Sequence, residues 1–255
     1  MNMVFEGRFI GKVAIVTGGY QGIGASISRR FVAEGGKVFL SGRSREKLDQ
    51  FIASENNENI RGCVCDVADE ESVKNMIAAC ISEYGKIDVV FSNAGVIRRN
   101  AFMDMPISDL DDCYNTNVRG TALVCQYAAK EMISRDIKGS IVCTASTNSM
   151  LASPGQPAYG MSKGAVNLLT KCMALDLSDY GIRVNCFGPA PTVTPMTAVT
   201  SANPEKVKMF TSGMDIHRFS EPEEMAAVAL FLASDDASFM TGAFVPADGG
   251  ATSRL

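Results

Sequence analysis

The sequence predicts a single doubly wound α/β domain, a parallel sheet of about seven strands with helices on both faces. Three observations carry this. Short β-branched runs alternate with helical patterns from one end of the chain to the other, which is the grammar of βαβ units. The clearest strands are apolar almost throughout, as strands covered on both faces must be. A glycine-rich turn, Thr17-Gly18-Gly19-Tyr20-Gln21-Gly22-Ile23-Gly24, sits where the first strand should feed the first helix.

In chain order, Lys12 to Thr17 reads as the first strand, and Ile23, Ile27 and Phe31 at spacing four mark the helix after it. Val38 to Ser41 is the second strand, followed by a helix through Leu48 and Ile52. Val73, Met76, Ile77, Cys80 and Ile81 repeat at i, i+3, i+4, i+7 and i+8, so an amphipathic helix runs from about Asp69 to Tyr84, and Gly85 ends it. Ile87 to Phe91 is apolar but for Asp88 at its start. Ser140 to Thr144 and Ile182 to Cys186 read the same way, and a last strand ends near Val245. A long helix starts at Pro157 and reaches about Leu177 with more than one apolar stripe, the mark of burial on both sides. Right-handed crossovers then assemble the sheet. Residues 189–221 are the least regular, and such long loops are usually lids or binding loops.

The chain has 255 residues, 46% hydrophobic and 20% charged, which excludes disorder, collagen and coiled coil and suits one domain. Its net charge is -4 and its basic residues are scattered, so nucleic acid is not an expected partner. Apolar stretches such as Met225 to Ala233 fall short of the ~20 residues that cross a bilayer, and Met1 to Ile10 has no apolar leader core. A cytoplasmic protein with no membrane partner is expected. Eight cysteines, dispersed and without a Cys-x-x-Cys pair, read as reduced thiols. With His217 as the one histidine, no metal site is expected.

Strand and helix flanks make the glycine turn a credible dinucleotide fingerprint. Its glycines let the backbone approach a pyrophosphate, whose charge meets the amides and dipole of the helix N-terminus. An NAD site normally places an acid about 20 residues further on, at the end of the second strand. Here that stretch is Leu40-Ser41-Gly42-Arg43-Ser44-Arg45, with no acid. A guanidinium at Arg43 suits a 2′-phosphate, so NADP is favoured over NAD. Arg43 also reads as an exposed helix start with Ser44 as N-cap.

Tyr159 and Lys163 stand one helical turn apart, and Ser146 lies thirteen residues upstream at a strand end. A tyrosine of pKa ~10 beside a cation can serve as acid for a carbonyl or base for an alcohol. With Asp66-Val67, Asn93-Ala94-Gly95, Asn117, Asn185 through Thr194 and Asp248-Gly249-Gly250 in order, the chain resembles the short-chain dehydrogenase/reductase family over nearly its whole length. The resemblance implies a Rossmann-type sheet, a homotetramer built through two long helices starting near Asn117 and Pro157, and Asn117, Ser146, Tyr159 and Lys163 as a catalytic tetrad. Tyr159 would be the acid/base, Ser146 would polarise the carbonyl, Lys163 would lower the tyrosine pKa and hold the nicotinamide ribose, and Asn117 would order a relay water. It further implies a cofactor set of Gly18, Gln21, Gly22, Ile23, Gly24, Arg43, Asp66, Val67, Asn93, Gly95, Tyr159, Lys163, Pro189, Thr192 and Thr194. Two departures stand out. Ala190 replaces the family's usual glycine, and at φ > 0 an alanine is strained by ~1 kcal/mol. Gln21 stands where NADP-using relatives often carry a base.

The expected function is ketone and secondary-alcohol interconversion by hydride transfer with NAD(P) on a small-molecule substrate. Ile97-Arg98-Arg99-Asn100 borders the cleft, and its arginine pair is similar to that of sugar-acid dehydrogenases, so an anionic or polyhydroxylated ketone is expected first. Met196, Met209 and Met214 in the irregular segment favour a bulky apolar ketone, a steroid or terpenoid, as the alternative. A non-redox isomerase or cyclase and a nucleotide-binding scaffold are further alternatives on a fold that hosts many reactions.

Overall fold

The computed structural model describes residues 7–253; part of the stretch read for a leader, residues 1–6, lies outside it. Seven strands form one all-parallel sheet: β1 Val13–Thr17, β2 Lys37–Gly42, β3 Ile60–Val64, β4 Val89–Ser92, β5 Ser140–Thr144, β6 Arg183–Pro189 and β7 Phe244–Ala247. The helices are α1 Gly22–Ala33, α2 Arg45–Glu55, α3 Glu70–Tyr84, α4 Ile107–Cys113, α5 Gly120–Ser134, α6 Pro157–Leu177, α7 Ala198–Ser201, α8 Pro204–Thr211 and α9 Pro222–Ala233. Strand order is β3-β2-β1-β4-β5-β6-β7. The chain therefore builds outward from β1 to β3, then crosses back to lay β4 on the other side of β1, which opens a crevice at the carboxyl ends of β1 and β4.

Both faces are covered. Val73 and Met76 of α3, Val124 and Ala128 of α5 and Val166 of α6 pack on one, and Ile27 and Phe31 of α1, Leu48 of α2 and Leu230 of α9 on the other. At ~25 cal/mol per Å² of apolar surface removed from water, these two layers are the main stabilising term. The amphipathic stripe predicted for α3 is the one buried, and its ends are capped as the chemistry demands: Asp69 accepts from the Ser72 N–H, and Gly85 stops the helix at φ 78°.

The fourth strand starts two residues later than its apolar run suggests. The Asp88 carboxylate accepts the Val13 N–H at 2.8 Å while the Asp88 N–H donates to the Val13 carbonyl, so a side chain supplies part of this first contact and regular pairing begins at Val89. The sixth strand runs past Cys186 to Pro189, because β7 pairs with it as far as Ala247. Helix near Asn117 begins earlier than expected, at Ile107, and passes through a π-helical stretch, Tyr114–Arg119, before α5. The segment after Pro189 is less irregular than its sequence implies. It contains α7 and α8 and is tied down by a parallel bridge between Thr192 and Ser220. No helix of the described residues is long and apolar enough to cross a membrane.

Candidate active site at the carboxyl edge of the sheet

The glycine turn is shaped by close approach. A Cβ on Gly24 would stand 2.1 Å from the Gly18 carbonyl, and one on Gly19 would stand 2.6 Å from Leu40 Cβ. Gly18 and Gly22 adopt φ of 63° and 51°, and Gln21 is the N-cap residue of α1. Asn93 locks the turn to the crevice: its N–H and that of Ala94 donate to Thr17 Oγ1, and its Nδ2 donates to the Thr17 carbonyl at 3.0 Å. Amides at a helix N-terminus beside a cradle that no Cβ would leave open fit a dinucleotide pyrophosphate.

A cavity of about 410 Å³ lies over this turn, and Gly18, Gln21, Gly22, Ile23, Asn93 and Gly95 form one wall. Ser146, Tyr159 and Lys163 form another, with Pro189, Thr192 and Thr194 closing over the top. Thr194 comes close to the fingerprint, since a Cβ on Gly22 would meet its Cγ2 at 3.1 Å. Three expected residues stand apart: Arg43, Asp66 and Val67 occupy the ends of β2 and β3 on the same sheet edge, outside the cavity walls. Asp66 Oδ1 accepts from Ala68 N–H, and Val67 is buried against Gly120.

Behind the cavity, Asn117 is buried and its carboxamide is fully engaged. Oδ1 accepts the Val96 N–H at 2.8 Å, while Nδ2 donates to the Val96 carbonyl and to Ser162 Oγ. The π-helical stretch aims it there, since an inserted residue rotates the side chains that follow it around the axis. Ser162, which sequence reasoning missed, donates in turn to the Tyr159 carbonyl and so joins Asn117 to the tyrosine's own turn. Its one signal was a small polar residue directly before Lys163.

Lys163 is buried and its Nζ donates to the Thr144 carbonyl at 2.7 Å. A Cβ on Gly95 would stand 3.2 Å from Asn117 Oδ1, so glycine there lets the backbone run close to the buried carboxamide. Burial lowers the lysine pKa from 10.5 to about 8. Burial also raises the Tyr159 pKa, opposed by a hydrogen bond with Ser146 and by the charge of Arg99. Lys163 Nζ stands 5.8 Å from the Tyr159 ring centroid. Ser146 Oγ itself accepts the Asn148 N–H at 3.1 Å, which holds it at the end of β5.

Two further expectations change. Ala190 is not in the left-handed region, and its N–H bonds the Ala247 carbonyl along the β6–β7 edge, so alanine carries no strain there. The arginine pair separates. Arg98 pairs with Asp112 at 2.8 Å and with Asp109, whereas Arg99 lines the cavity with its guanidinium 5.7 Å from the Phe210 ring centroid. Of the three methionines, Met196 and Met214 line the cavity while Met209 stays exposed. Cys143 and Cys186 are buried thiols with pKa values pushed up, Cys143 chiefly by its contact with Cys125 and Cys186 by burial, in keeping with inert core residues. His217 is exposed, its Nδ1 3.1 Å from the Thr211 carbonyl.

A doubly wound sheet with a glycine fingerprint at its switch point and a tyrosine, serine and lysine facing it is the framework of a Rossmann-type oxidoreductase. The family described as Enoyl-(Acyl carrier protein) reductase matches residues 18–252. Short-chain dehydrogenase reductase 3a of Arabidopsis thaliana is 38% identical over 95% of this chain and 96% of its own. The (21S)-21-acetoxyl-apo-melianone synthase of Melia azedarach is also 38% identical, over 95% and 90%. The crystal structure of levodione reductase superposes with a TM-score of 0.91 at 31% identity, covering 97% of this chain and 100% of that one. The chain belongs to the short-chain dehydrogenase/reductase family.

Proposed function

We propose that the chain interconverts a ketone and a secondary alcohol with NADP, acting as a cytoplasmic enzyme on a largely apolar carbon skeleton. The observation that carries the reading is one cavity walled on one side by the glycine turn and on the other by Ser146, Tyr159 and Lys163. The nicotinamide nucleotide, when bound, supplies or takes up the hydride. Tyr159 Oη gives a proton to the substrate oxygen in reduction and takes one in oxidation, and Ser146 Oγ holds that oxygen by a hydrogen bond. Lys163 Nζ keeps a positive charge beside the ribose and the phenol. Asn117 is a positioning residue, because both its amide hydrogens are spent on Val96 and Ser162. NADP is favoured by Arg43, exposed and without a partner among the described residues.

The cavity lining supports an apolar ketone ahead of the anionic one that the arginine pair leads one to expect. Leu151, Met196, Phe210, Met214 and Phe219 line the cavity beside Arg99, which favours an apolar ketone. Residues 189–221 act as the lid over it. Relatives named for an apo-melianone synthase and for the reduction of levodione support a carbon skeleton of that kind. Arg99 favours a second reading, in which an anionic substituent on the substrate is held at the cavity wall.

The deciding experiment is a panel of polycyclic ketones and keto-gluconates under NADPH and NADH, following nucleotide absorbance and product together. Alcohol formed in step with NADPH consumed is expected. Product without nucleotide consumption would establish a non-redox reaction, and tight nucleotide binding with no turnover a scaffold. In the same panel, Arg99→Ala should lower kcat/KM about tenfold for acidic ketones and leave neutral ones within about twofold. A uniform effect on both would show that Arg99 supports the lid instead.

Assembly as a homotetramer is proposed on the face that α6 leaves uncovered. Met161, Leu168 and Leu175 repeat at intervals of seven along it, and Leu168 and Leu175 are 63% and 77% exposed. An apolar stripe of that length in water is a subunit contact. Elution at the mass of one 27.2 kDa chain would refute it.

A further inference from the structure

In sheets of this architecture the adenosine ribose is read by an acidic side chain at the end of the second strand. In this chain the last residue of β2 is Gly42, and the space over it is already filled. A Cβ built on Gly42 would stand 2.1 Å from Tyr20 Cε1 and 2.7 Å from Cζ. The phenol that takes the place of a strand side chain therefore comes from the glycine turn. Two bonds tie that turn to the strand end: Gly19 N–H donates to the Ser41 carbonyl at 3.1 Å, and Ser44 N–H donates to Tyr20 Oη at 3.2 Å.

We propose that Tyr20 is the specificity-determining residue of the nucleotide site, donating its hydroxyl hydrogen to the 2′-phosphate of the adenosine ribose beside Arg43. The inference rests on the NADP reading above and assigns a residue to it. Accepting from Ser44 leaves the phenolic hydrogen without an acceptor among the described residues, so it is free to donate outward. Ser44 Oγ is not, being committed to the Lys47 N–H as the cap of α2. Arg43, between Gly42 and Ser44, is exposed. The acids of the neighbourhood are turned to their own elements, Glu46 to Gln50 Nε2 and Asp66 to the Ala68 N–H. A dianion would therefore meet one cation and one neutral donor, brought together from two turns that the Gly19–Ser41 and Ser44–Tyr20 bonds join. Gln21, which stands where relatives often carry a base, is freed from this task and lines the cavity at the start of α1.

The test is the dissociation constant of NADPH and of NADH, read from the fluorescence of the reduced nucleotide in a chain that has no tryptophan. Tyr20→Phe should weaken NADPH about five- to tenfold and NADH less than about twofold, with an unchanged melting temperature. Arg43→Ala should weaken NADPH further and spare NADH. Replacing the phenol by a strand acid, Tyr20→Ser with Gly42→Asp, should turn the preference toward NADH. Equal weakening of both nucleotides by Tyr20→Phe, or none, overturns the assignment of Tyr20. Should Arg43→Ala also leave the NADPH to NADH ratio unchanged, the NADP reading itself falls; should Arg43→Ala alone change it, that reading stands without Tyr20.

Discussion

Tyr159→Phe lowers kcat by about 10²- to 10⁴-fold, the range lost when a positioned proton donor is removed, and leaves NADPH affinity within about twofold. The substitution deletes one oxygen. The ring remains packed in its place on α6, and the contacts of that turn are made by other groups: Ser162 donates to the Tyr159 carbonyl, and Gly160 N–H bonds the Gln156 carbonyl. Stability should therefore stay nearly constant while turnover collapses. Because burial holds the phenol above its ordinary pKa, it is protonated at neutral pH. Reduction should accordingly proceed well at neutral pH, and oxidation, which needs the phenolate, should rise as the solution is made alkaline. Retention of more than about a tenth of the wild-type rate would remove Tyr159 from the acid/base role.

Lys163→Met should abolish turnover and change how stability depends on pH. Its folded pKa of about 8 lies below the 10.5 of an exposed lysine, so between those values the unfolded chain binds more protons than the folded one. Stability contributed at this position therefore rises as pH increases through that window, and the buried ammonium is costly below it. Methionine keeps the volume without the charge, but leaves the Thr144 carbonyl without its donor. The wild type minus variant difference in melting temperature should hence become more positive from pH 7 to pH 10. A difference independent of pH would mean that Lys163 holds its proton throughout and that burial does not depress it. The buried Cys186 thiol, pushed up to about 12, lies above this window and stays protonated across it.

Local patterns determined a great deal of this molecule. The apolar runs of β1, β2 and β5, the stripe of α3 with Asp69 and Gly85 at its ends, and the span of α6 from Pro157 to Leu177 all follow from side-chain periodicity and capping, which act within a few residues. The glycine turn and the Tyr159–Lys163 spacing were legible for the same reason, since each depends on near neighbours in the chain. What the tertiary structure decided concerns partners far apart in sequence. Asp88 shortens β4 by bonding Val13, and β7 lengthens β6. Asn117 finds Val96 and Ser162 through a π-helical stretch that its residue types do not announce. Arg98 and Arg99 are adjacent and chemically alike, yet Asp112 claims one while the cavity and Phe210 take the other. Tyr20 meets Gly42, twenty-two residues on, only through the fold. A sequence lists the charges and hydrogen-bonding groups, but which of them meet is set by the packing of whole elements, whose free energy is shared over the entire core.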